Sequence, residues 1–94
     1  MGRNSRLWAS EPSVKYDSEH DILYVWLAAS STPAASDEIL PGIRIDRAIG
    51  LPREPKVGFV VMDARRRSDM PYVRSRLLRQ GFPRELVIQS LRGW

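Results

Sequence analysis

Apolar and polar residues alternate through the first two thirds of the chain and then change period. Val14-Lys15-Tyr16 alternates, Asp17 to Asp21 supplies turn formers, and Ile22 to Leu27 is a β-branched and aromatic run of strand length. This pattern predicts a hairpin. Ala28 to Ser36, small and polar around Pro33, reads as a loop. Ile39 to Asp46 reads as a further strand, bent or bulged at Pro41-Gly42, with Ile43 and Ile45 on one side and Arg44 on the other. Gly50, Pro52 and Pro55 make 47–55 a connection, and Val57 to Met62 reads as the last strand.

After Asp63-Ala64 the period becomes helical. Ser68 or Asp69 can cap a helix with Pro71 in its first turn, Val73 and Leu77 on one face, and Gly81 just past its end. Pro83 fits the first turn of a second helix striped by Leu86, Val87 and Leu91. Residues 1–12 show no period and read as a flexible arm, pinned locally by Leu7 and Trp8. The expected architecture is a single α+β domain. The arm 1–12 precedes a small, mostly antiparallel β-meander of three to five strands over 13–64. A basic hairpin of two short helices, 65–94, packs on the sheet.

Ninety-four residues allow one thin core, for which self-association is a useful supplement. The absence of cysteine excludes a disulfide scaffold, thiol catalysis and a cysteine-ligated metal, and favours a cytoplasmic protein. No apolar run approaches a membrane span or a signal-peptide core. The net charge of +4 is unevenly placed. Seven basic and eight acidic residues lie in 1–62, against eight arginines and three acids in 63–94. The basic character therefore belongs to the tail, and arginine suits phosphate or carboxylate forks and aromatic stacking.

A spaced set of strand signatures runs through Val14-Lys15-Tyr16-Asp17, Glu19, Asp21, Leu23-Tyr24-Val25, Leu27, Pro41-Gly42-Ile43, Ile45-Asp46, Val57-Gly58-Phe59 and Asp63-Ala64. Over residues 14–64 the chain resembles the bacterial domain-of-unknown-function family 2283. The resemblance implies a compact β-meander in a small cytosolic bacterial protein, and an antitoxin-like or partner-binding role. Three departures stand out. Glu19-His20-Asp21-Ile22 replaces a usual Glu-Ala-Asp-Ala, and a longer proline-containing stretch, 47–55, replaces an Asp-Gly type of turn. Trp26 and Val60 stand where the family is commonly polar or charged.

That third departure changes the sheet. With Leu23, Val25, Leu27, Phe59 and Val61 facing one way, Tyr24, Trp26, Val60 and Met62 share the other face, which is then apolar too. Leaving Trp26, Val60 and Met62 wet forfeits roughly 1.5–3 kcal/mol each, and such a patch marks an interface. The expected cover is the helical tail or a second copy of the chain, a homodimer.

Two further groups of residues carry candidate chemistry. Arg65, Arg66 and Arg67, with Arg74, Arg76 and Arg79 on the first tail helix, could contact phosphates or an acidic protein partner, or simply form a solvated face. Two helices joined at Gly81-Phe82 lack the third helix of a DNA-reading motif, and base-reading side chains are scarce. Asp17, Glu19, His20 and Asp21 offer an acid-base or metal site, but without the glycine-bearing calcium-loop pattern they read first as turn caps. No nucleophile elbow or phosphate-binding glycine loop occurs. The sequence thus reads as a non-enzymatic protein-interaction module without a cofactor or metal. Nucleic-acid binding through the tail is the alternative.

Overall fold

Ile22–Ala28 (β2) and Lys56–Met62 (β5) are the most β-branched and aromatic segments, and in the computed structural model they pair antiparallel, with β5 at the centre of the sheet. The structure describes residues 8–29 and 31–94. Trp8–Asp17 (β1) flanks β2, while Ala34–Leu40 (β3) and Ile43–Ala48 (β4) complete the other side. The spatial order is β1-β2-β5-β4-β3, with every neighbouring pair antiparallel. Two helices follow, Met70–Arg79 (α1) and Arg84–Ser90 (α2), so the α+β class stands. The order is not a simple meander, because β5 inserts between the β1-β2 and β3-β4 hairpins.

Three local expectations change. β1 begins at Trp8, inside the arm read over 1–12, and four residues, 9–12, stand opposite Leu27 alone before regular pairing resumes at Ser13 and Trp26. Residues 1–7, including Leu7, lie outside the described residues. Ala34–Ser36, read as loop, is strand: small residues serve at a sheet edge, where one side of the ladder needs no partner. Pro41-Gly42 is a chain reversal between two strands instead of a bend within one, and Gly42 takes φ 79° there, a conformation open to glycine.

The helices form much as their spacing predicts. Pro71 lies in the first turn of α1, and Gly81, at φ 95°, follows its Gln80 C-cap. Asp69 stands at the N-cap but its side chain makes no capping bond, because Arg67 holds the carboxylate at 2.9 and 3.2 Å.

The helical layer covers the sheet face opposite to the expected one. Val73, Leu77, Phe82, Val87 and Leu91 are fully or nearly fully buried against Leu23, Val25, Ile43, Ile45, Phe59 and Val61. Phe82 meets Phe59 edge to face with ring centroids 5.1 Å apart. The physical reason lies on β4. Ile43 and Ile45 extend the Leu23-Val25-Phe59-Val61 face into a continuous apolar floor, whereas Arg44 and Asp46 interrupt the other. Trp94 closes the same layer by packing on Tyr16, with centroids 4.7 Å apart.

Candidate interaction surface

The uncovered face is built row by row from the strand register. One row runs Lys15, Tyr24, Val60, Arg44, Glu38 across β1-β2-β5-β4-β3, and the next runs Ser13, Trp26, Gly58, Asp46, Ser36. Met62 pairs with Ile22 beyond them. Tyr24 is 41% and Met62 36% exposed, so two large side chains of the expected set stay wet at the middle of a sheet. Trp26 and Val60 are half-buried.

Trp26 packs against a small buried cluster of Ala28, Ala48 and Val57 and lies over Gly58. A Cβ at Gly58 would stand 2.9 Å from the indole Cε3 and 2.5 Å from the Val25 carbonyl, so the ring lies over bare backbone. Its Nε1 donates to the Ala29 carbonyl at 3.3 Å. Beside Gly58 on β4, burial pushes the Asp46 carboxyl above its usual range, against the opposing pull of Ser36 and Arg44. Arg44 lies over β3 and donates from Nε to Ser36 Oγ at 3.0 Å. Ser13, Lys15, Tyr24 and Trp26 line a shallow hollow on this face. Lys15, Glu38, Arg44 and Asp46 were not singled out from the sequence. Lys15 and Arg44 sit between apolar neighbours, so their signal was present in the alternation, whereas the charged Asp37 and Arg47 beside Glu38 and Asp46 break it.

The six arginines do not form one patch. Arg67 has a side chain only 11% exposed. It donates to the carbonyls of Met62 and Pro41 and to Asp69, fixing the β3-β4 turn to the start of α1. Arg65 donates to the Tyr16 hydroxyl at 3.2 Å, and its guanidinium carbon lies 5.1 Å from both the Tyr16 and Trp94 ring centroids. Arg66 is open to solvent, 3.6 Å from Asp21. Arg76 reaches the Tyr72 hydroxyl at 3.1 Å. Arg74 and Arg79 make no side-chain hydrogen bond among the described residues. They belong to the helical layer, across the molecule from Tyr24 and Val60.

The acidic hairpin is occupied by its own turn. Asp17 Oδ1 accepts the backbone N–H groups of Glu19 and His20, and its Oδ2 lies 2.8 Å from His20 Nδ1. The His20 hydrogen bond leads the causes that hold Asp17 below the usual carboxylate range. Asp17, Glu19 and His20 cluster closely enough to share an ion, but Asp21 turns away from them. It is buried at φ 57°, where it accepts the Tyr16 hydroxyl at 2.7 Å and the Arg65 N–H at 2.9 Å. The backbone N–H of Arg65 is the main cause lowering its pKa.

Among the described residues, no helix is long and apolar enough to cross a membrane. No curated protein and no solved structure matches the chain. The match of a family model covers 37 of the 94 residues and stops short of β5 and both helices. Over that segment, residues 13–49, the chain resembles the family described as "Protein of unknown function (DUF2283)".

Proposed function

We propose that the protein is a small, cytoplasmic, non-enzymatic module that binds protein partners through the open face of its sheet. The observation that supports this reading is the exposure of Tyr24 and Met62, beside a half-buried Val60, while both helices cover the other side of the sheet. Aromatic and aliphatic side chains framed by a few charges suit a protein surface. A nucleic acid calls for a dense basic stripe. An antitoxin-like partner, as the family resemblance suggests, would use this same face.

The rival reading, nucleic acid at Arg66, Arg74 and Arg79, rests on guanidinium groups of the helical side that no strong local partner holds. Labelled duplex DNA and RNA titrated at two salt concentrations, beside a partner-capture assay, separate the two. Capture that Tyr24→Glu abolishes and Arg74→Ala/Arg79→Ala leaves intact supports the module. Tight nucleic-acid binding that weakens steeply with salt and is lost in the arginine variant overturns it, since each phosphate contact adds about 0.9 to the log-log salt slope on duplex DNA.

A further inference from the structure

We infer that the open sheet face pairs with the same face of a second copy of the chain, about a two-fold axis running along β5. The inference rests on the proposed reading of that face as a docking surface, and it names the occupant. The arrangement of strands is the first reason. β5 is central, with two strands on either side, so a half-turn about an axis lying along β5 between two stacked sheets places β2 over β4 and β1 over β3. The face thus meets itself strand for strand.

The second reason is the chemistry of the rows under that operation. In the row Lys15, Tyr24, Val60, Arg44, Glu38, the axis brings Val60 onto Val60, Tyr24 onto Arg44 of the second copy, and Lys15 onto Glu38 of the second copy. An apolar centre on the axis results, with two Tyr24 rings facing the Arg44 side chains and two opposite-charge pairs at the rims, the members of each pair related by the two-fold. In the next row Ser13 falls on Ser36 and Trp26 on Asp46, while Gly58 falls on Gly58 and leaves room for the indole rings. The hollow formed by Ser13, Lys15, Tyr24 and Trp26 lies where the axis delivers Arg44. Stacked sheets stand about 10 Å apart, a gap that a lysine and a glutamate span together.

The third reason is that the chain's own tail is already committed to the opposite face, with Trp94 packed on Tyr16. The size of the face sets the strength. Five strands and a few residue rows give roughly 20 by 20 Å, on the order of 400 Å² per copy in projection, which is small for a stable interface. So small a face makes the dimer a weak, reversible one.

Sedimentation equilibrium of the full chain from about 1 to about 500 µM reads this directly. The wild type is expected to pass from 10.8 kDa toward twice that mass. Lys15→Glu and Glu38→Lys each place like charges at both rims and should weaken self-association by about tenfold or more. Circular dichroism checks that both exposed substitutions leave the fold intact. Mixing the two variants is the decisive arm. In the mixed pair both rims are again oppositely charged, so heterodimers should form at wild-type concentrations while each variant alone stays monomeric. A wild type that is monomeric at the highest concentration overturns the self-pairing, and so do variants whose mixture gains nothing. If the monomer nevertheless captures another protein and loses it on Tyr24→Glu, the docking reading survives and only the occupant named here fails.

Discussion

The Tyr16 hydroxyl donates a 2.7 Å hydrogen bond to the buried Asp21 carboxylate, which also receives the backbone N–H of Arg65 at 2.9 Å, forty-four residues further along the chain. This clasp ties the β1-β2 hairpin to the segment that leaves β5, and Arg65 and Trp94 stack over its outer side. Asp21→Ala leaves the Arg65 N–H and the Tyr16 hydroxyl without their acceptor and forces a new residue into φ 57°. A drop of several degrees in the melting midpoint is expected. Tyr16→Phe, which keeps the ring stacking, should lose less. Equal losses from the two substitutions would show that the carboxylate is not the hub.

Acid should loosen the fold through the same residue and its relatives. Asp21, Asp17, Asp37 and Asp69 are all held below the usual carboxylate range, principally by the Arg65 N–H, His20, Arg47 and Arg67 respectively. A depressed folded pKa means that the stabilisation is complete above the unfolded value of about 3.9 and is lost as pH falls through the folded value. Urea midpoints should therefore be flat down to about pH 5 and fall below it.

Asp46 has the opposite sign. Burial raises its pKa, so the ionised form costs stability at neutral pH. Asp46→Asn should raise stability at pH 7 by under about 1 kcal/mol, with the gain shrinking as the pH is lowered through the raised value. A loss at pH 7 would mean that the charge itself is holding the β3-β4 pair.

The three consecutive arginines should behave differently. Arg67 donates to two backbone carbonyls and to Asp69 from a nearly buried position, and Arg67→Ala should cost about 1.5–3 kcal/mol by chemical denaturation. Arg66→Ala, at a solvent-exposed side chain, should fall within about 0.5 kcal/mol of the wild type.

Gly58→Ala tests the seat of Trp26. The added Cβ collides with the Val25 carbonyl, which cannot swing away, and with the indole. A loss of about 1–3 kcal/mol is expected, with a red shift in the fluorescence of Trp26 as its ring is pushed into solvent. On the other side of the sheet, Phe82→Ala removes the edge contact to Phe59 and should cost about 3–5 kcal/mol.

Much of this fold was written in the alternation. The β1-β2 hairpin, β5 and both helices follow from period, turn residues and the placement of Pro71, Gly81 and Pro83. β3 did not, because Ala34-Ala35-Ser36-Asp37-Glu38 carries no apolar stripe, and an edge strand needs only a neighbour with free backbone groups. Residues 8–12 were missed for a related reason, since Pro12 and the irregular pairing erase the period-two pattern. The covered face was misassigned because Tyr24-Trp26-Val60-Met62 looked apolar when β2 and β5 were read alone. Arg44 and Asp46, which break that face, declare themselves only when β4 is known to lie beside β5. The arginine triplet shows the same limit: side chains adjacent in sequence go to the Met62 and Pro41 carbonyls, to solvent and to an aromatic sandwich.

The central place of β5 also sets an order on the making of the molecule. The strand that joins the sheet is the last one synthesised, and both of its neighbours precede it. Until residue 62 has left the ribosome, the β1-β2 and β3-β4 hairpins are separate ribbons with no shared floor, and neither can hold the helices that follow. Two-stranded ribbons of this size are marginal in water, so assembly waits on long-range pairing, the slow kind. Folding should be a single late, cooperative event in which β5 zips the two ribbons together and α1 and α2 seal the seam.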